Sequence, residues 1–182
     1  MKKLIGILAV CVLFTGLAVP EDANAFRARQ FANSEFSIEG TAKTTILSTG
    51  EYFGTSKMEG YLVELNGAMQ GSGEVSPDFS TYALFGVTTN YYCGIQAPSY
   101  DWDNKKNILR STEVEMACYD RIAGDSTPFV GASDCRMVLR FSNATKFNGK
   151  IICTDDVNDF KFVGSFKGKK LGTYNPQLLQ QP

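Results

Sequence analysis

The chain has 182 residues, 43% of them hydrophobic and 20% charged, which is the composition of a globular protein with room for one ordinary domain. Its 18 basic and 19 acidic residues leave a net charge of -1, so there is no general electrostatic case for nucleic acid or an anionic membrane. It contains no histidine, which excludes Ser-His-Asp and Cys-His nucleophilic catalysis, His-ligated metal sites and His-ligated haem.

At the N-terminus, Lys2 and Lys3 precede an apolar run over residues 4–19, and Ala23-Asn24-Ala25 follows. This predicts a secretory signal of bacterial style over 1–25, with the mature chain starting at Phe26 and bound for the periplasm or beyond. A membrane anchor fits less well, because the run is shorter than the ~20 residues a spanning helix wants. So does a lipoprotein acylated at Cys11, because Val10 stands where a small residue is expected. Residues 26–35 form an N-terminal segment with a possible short helix, 36–170 a barrel-like domain and 171–182 a tail. Cys93, Cys118, Cys135 and Cys153 remain in the mature chain and predict two disulfides in an oxidising compartment.

From residue 36 onward the hydrophobic period is two, the signal of an all-β chain. Residues 36–46 place Phe36, Ile38, Ala42 and Ile46 on one face, against Glu39 and Lys43 on the other. Over 59–75 the odd positions carry Tyr61, Val63, Leu65, Met69 and Val75. This predicts one long strand kinked at glycine, with a hairpin at Asn66-Gly67 as the alternative. Residues 81–97 follow with Ala83, Phe85, Val87, Tyr91, Cys93 and Ile95 aligned, and Pro98 ends that run. After a turn at 103–107, residues 108–120 carry Val114, Met116 and Cys118 opposite Glu113 and Glu115. A loop over 121–133 leads to strands at 135–141, 147–153 and 160–168.

The cysteines set the registers. Cys135 opposite Cys153 pairs Met137 with Ile151, Leu139 with Gly149 and Phe141 with Phe147, and keeps Arg136 and Arg140 outward. A one-residue slip would bury both arginines. Cys93 opposite Cys118 pairs Ile95 with Met116, Ala97 with Val114 and, further out, Asp101 with Arg110. Directly opposed positions bring the Cβ atoms close enough to bridge, which predicts Cys93–Cys118 and Cys135–Cys153. The last hairpin is expected to pair Cys153 with Phe160, Ile151 with Phe162, Gly149 with Gly164 and Phe147 with Phe166. The result is a single antiparallel meander of about seven strands closing into a small barrel, with a β-sandwich as the alternative. An outer-membrane barrel is a lesser alternative, since it would turn the cysteines and glycines toward lipid.

Phe85, Tyr91, Phe147, Phe160, Phe162 and Phe166 face inward and either line an apolar ligand cavity or fill the core. Tyr100 and Trp102, in a hairpin loop, are candidate surface contacts or side chains folded back on the barrel end. Asp155, Asp156 and Asp159 make an acidic turn without the EF-hand series, and Asp101 and Asp103 flank Trp102, so no metal site is expected. Lys167, Lys169 and Lys170 form a basic strand end. Asn143-Ala144-Thr145 matches a glycosylation sequon and predicts an exposed turn. No motif calls for a cofactor, and no pair of acids marks a hydrolase, which stays an outlying reading. The expectation is an exported, non-enzymatic β-barrel module that holds a small apolar or amphipathic molecule. The alternative is a structural or interaction component of an envelope or extracellular assembly, with a protein partner. Neither nucleic acid nor a membrane span of the mature chain is expected.

Overall fold

The computed structural model describes residues 30–77, 91–120 and 130–174. They form nine strands: β1 (Ser34–Ile46), β2 (Tyr52–Leu65), β3 (Ala68–Pro77), β4 (Tyr91–Ala97), β5 (Asp101–Asp103), β6 (Ile108–Asp120), β7 (Val130–Asn143), β8 (Lys146–Asp155) and β9 (Phe160–Thr173). Every pairing is antiparallel, and no helix occurs among the described residues. Chain neighbours pair in turn except β4 and β5, β4 pairs with β6, and β9 returns to β1 from Ser34–Thr173 to Ile46–Phe160. This closes an eight-stranded barrel, one strand more than the seven expected, with short β5 lying beside β6. Closure leaves the eight barrel strands no open edge.

The interior is the apolar face of each strand. Phe36, Leu62, Met69, Leu109, Met137, Leu139 and Ile151 are fully buried there. Burying each such side chain contributes roughly 1.5–3 kcal/mol. Both disulfides form as expected, Cys93–Cys118 between β4 and β6 and Cys135–Cys153 between β7 and β8. The registers around them also hold: Ile95 pairs with Met116, Asp101 with Arg110, Met137 with Ile151 and Phe141 with Phe147. The two disulfides suit an oxidising environment.

Four expectations need adjustment. First, β1 begins at Ser34, before the strand expected at Phe36, and residues 31–33 form a turn, while most of the expected short helix over 26–34 lies outside the described residues. Second, residues 59–75 are not one strand. Asn66 and Gly67 turn the chain with φ of 50° and 94°, and Leu65 pairs with Ala68. Positive φ at both turn residues is the two-residue hairpin geometry that Asn-Gly favours. Such a turn switches the inward parity. Met58, Leu62 and Glu64 point inward on β2, whereas Tyr61 is outward and exposed. Val63, opposite Glu35, is the one odd position of β2 that is fully buried.

Third, the last hairpin is displaced by two residues. Cys153 pairs with Phe162, Ile151 with Gly164, Gly149 with Phe166 and Phe147 with Gly168. The expected register would set ring against ring and glycine against glycine. The observed one lays the rings of Phe147 and Phe166 on glycines. A Cβ on Gly149 would stand 2.3 Å from the Phe166 ring, and one on Gly168 would stand 2.0 Å from the Phe147 ring. The turn supports the same register. Asp155 is buried, and its carboxylate accepts from the Val157 and Asn158 amides at 3.1 and 3.0 Å. Fourth, β7 begins at Val130, inside the stretch expected to be a loop.

Candidate functional site

One end of the barrel is held by a buried carboxylate that the sequence pattern placed on the wrong face. Glu64 is 1% exposed. Its Oε1 accepts from the Tyr100 hydroxyl and the Gly67 amide, both at 2.8 Å, and its Oε2 accepts from the Asn33 amide. These donors come from the β4–β5 connection, the β2–β3 turn and the segment entering β1. The carboxylate thus ties three chain segments together, and hydrogen bonding to both oxygens offsets the cost of burying its charge. Burial is the main cause that raises the Tyr100 hydroxyl above its ordinary value of 10.0, followed by the hydrogen bond to Glu64 and its charge. The signal available in the sequence was Asn66-Gly67, because a two-residue turn there puts Glu64 inside.

Aromatic rings pack beneath this latch. Phe31 is fully buried, stacked on Phe141 at 4.7 Å between centroids and edge-on to Trp102 at 5.0 Å. Tyr100 and Trp102, the candidate surface contacts, are therefore partly buried side chains folded back on the barrel end. The Trp102 indole N–H donates to Asn104 Oδ1. The six inward aromatics separate. Phe147 and Phe166 are buried in the core, 6.2 Å apart and edge-on. Phe162 is partly buried against the core, and Phe160 meets Phe53 at 5.0 Å. Phe85 and the Tyr91 side chain lie outside the described residues.

Two carboxylates of the acidic turn are committed to hydrogen bonds within the protein. Asp155 caps the turn, and the Asp159 carboxylate accepts from the Ser48 amide and hydroxyl at 2.8 and 2.5 Å. Among the described residues, no three His, Cys, Asp or Glu side chains are grouped to hold a metal ion. Among the same residues, no helix is long and apolar enough to cross a membrane. The sequon stands in the β7–β8 turn, where Asn143 Oδ1 accepts from the Thr145 amide at 2.9 Å and the Thr145 hydroxyl at 2.8 Å.

Among the described residues, two adjoining open spaces lie on the outward face. One groove of about 890 Å³ crosses from Tyr92 on β4 to Lys146 on β8, passing Tyr61, Glu39, Lys167 and Lys169. A second, of about 810 Å³, adjoins it along Glu59, Lys167, Lys150, Arg140 and Val138. No family model, curated protein or solved structure matches this chain. The two grooves share Glu39, Glu59, Asn148 and Lys167 and so form one continuous surface. Its two walls differ in charge. Glu39 and Glu59 are directly opposed on β1 and β2, and Glu59 is ion-paired with Lys57, whose pKa this hydrogen-bonded pairing raises. Arg140, Lys146, Lys150, Lys167 and Lys169 occupy β7, β8 and β9. Of these, only Lys167 and Lys169 were marked as basic in the sequence pattern. Lys170, the third of that run, donates from Nζ to the Gln30 carbonyl at 3.1 Å, away from the groove.

Proposed function

We propose that the chain is a non-enzymatic binding module of an oxidising, exported environment, and that it meets its partner on its outward sheet face. One observation carries the reading: rings on glycines and the Glu64 latch occupy one end of the interior, while the broad grooves run across the outside. Grooves with charged walls on a rigid, closed scaffold are suited to recognition. The absence of histidine from the sequence and the full engagement of Glu64 support a role other than catalysis.

A second reading keeps an apolar or amphipathic small molecule as the ligand. It draws on Phe160 and Phe162, which are only partly buried and make the opposite end of the barrel apolar. Native mass spectrometry of protein purified from its own cells separates the two, run beside co-sedimentation with the envelope and matrix fraction of those cells. The outward reading expects the bare disulfide-bonded mass, together with co-sedimentation that Lys146→Glu/Lys169→Glu abolishes. A small apolar molecule retained in stoichiometric amount, with co-sedimentation absent or unchanged in the variant, would establish the second reading instead.

A further inference from the structure

The outward face of β7–β9 concentrates positive charge in a chain of net charge -1. Lys146 is directly opposite Lys169, and Lys167 lies in one cross-strand row with Asn148 and Arg140 on one side and Glu39 on the other. Lys150 sits diagonally from both Arg140 and Lys167, a separation of about 7–8 Å across a sheet. All five cations are exposed. The ion pairs among the described residues lie elsewhere, at Lys57–Glu59, Lys106–Asp103 and Arg110–Asp103. Lys146 and Lys169 are like charges directly opposed on a sheet, which is destabilising, and a bound anion would restore the stability that this pair costs.

We infer that this face binds an acidic polysaccharide, its carboxylate or sulfate groups held by Lys146, Lys169, Lys167, Lys150 and Arg140. The inference rests on the outward-face reading and names its partner. Three observations select the occupant. The basic face runs directly into an acidic one, with Glu39 opposite Lys167 and Glu59 opposite Glu39, so an anionic bilayer laid across it would meet like charge. Between the cations the lining includes hydroxyl and amide groups at Thr41, Ser165 and Asn148 beside the apolar Val138, and the ring of Phe166 is buried. That lining offers hydrogen bonds to sugar hydroxyls, and the rings on the same surface, Tyr61 and Tyr92, stand on β2 and β4 and not among the cations. Finally, Glu39 and Glu59 form the other wall. They would repel a chain charged at every unit, yet they can accept hydrogen bonds from the neutral sugars of a chain charged at some units.

The test uses the disulfide-bonded protein with hyaluronan and kappa-carrageenan as probes, which carry a carboxylate or a sulfate on alternate sugars, and with neutral dextran, single-stranded DNA and anionic phosphatidylglycerol vesicles beside them. Calorimetry or fluorescence anisotropy is expected to show binding to an acidic polysaccharide that weakens as sodium chloride rises. Lys146→Glu and Lys169→Glu should each reduce affinity about tenfold, the loss implied by one charge-assisted contact. Lys105→Glu/Lys106→Glu, in the exposed turn between β5 and β6, should leave affinity unchanged, and circular dichroism should show all variants folded. The inference is overturned if neutral dextran binds equally, if DNA or vesicles bind more tightly, if the turn variant loses as much, or if neither acidic polysaccharide binds. In the last case, co-sedimentation with the native envelope fraction decides the wider reading. Its loss in Lys146→Glu/Lys169→Glu would keep the outward face as the interface, and its persistence would remove both.

Discussion

A single carboxylate decides how the end of the barrel is held. Glu64 is buried with three donors, and each donor belongs to a different segment of chain. Tyr100 is the one donor that can be removed while its ring is kept. Tyr100→Phe should cost about 1–2 kcal/mol, since it leaves a buried carboxylate oxygen short of one hydrogen bond. The same substitution should change the alkaline limb of stability. Burial and Glu64 hold the Tyr100 proton in the folded chain above 10.0, the ordinary value that applies when the chain is unfolded. Above that pH the folded state binds more protons than the unfolded one, so stability falls as pH rises. Below it, both states are protonated and the contribution is fully present. Urea midpoints measured from pH 8 to 11 should fall less steeply past pH 10 in Tyr100→Phe than in the parent. Equal slopes would show that the Tyr100–Glu64 contact is not formed in solution. None of this was legible from alternation alone, because a glutamate at an even position reads as solvent-facing until the turn that inverts the face is placed.

At the scale of the strand pair, the period-two pattern separates odd slips from even ones and nothing more. The β7–β8 register was readable because a one-residue shift would bury Arg136 and Arg140. A two-residue shift on β8–β9 keeps every inward residue inward, so hydrophobicity does not oppose it. Volume does: the observed register gives the rings of Phe147 and Phe166 the space of a missing side chain. Gly168→Ala should therefore cost about 1–3 kcal/mol, because the new methyl would stand 2.0 Å from the Phe147 ring, itself fixed in the core. Gly94→Ala is the control. Nothing lies within 4 Å of the Cβ it would add, so its stability should stay within about 0.5 kcal/mol of the parent. Chemical denaturation of the two variants compares them directly, and equal midpoints would return the hairpin to the register expected from pattern. The same reasoning explains why the groove was only half visible. Lys167 and Lys169 are adjacent on one strand, but Lys146 joins them only when β8 is registered against β9.

For the whole molecule, closure is the most distant step. β1 and β9 pair along their lengths, yet Ile46 and Phe160 are separated by roughly 110 residues of chain, so this seam carries the largest loop entropy. Neither disulfide crosses it. Each clasps two strands already adjacent in the barrel, closing sequence separations of 25 and 18. In the chain-entropy account each bridge adds about 3 kcal/mol by restricting the unfolded chain. Together they shorten the path between Ile46 and Phe160 to roughly 70 residues, which lowers the cost of closure by only about 0.4 kcal/mol. The two quantities separate experimentally. Reduction, or Cys135→Ala/Cys153→Ala, should lower equilibrium stability by about 3 kcal/mol per bridge. If forming the β1–β9 seam limits folding, the refolding rate should change only about twofold, and most of the lost stability should appear as faster unfolding. Stopped-flow refolding and unfolding of oxidised and reduced protein gives both limbs. A refolding rate that falls in proportion to the lost stability would place the bridged hairpins, and not the seam, in the folding nucleus.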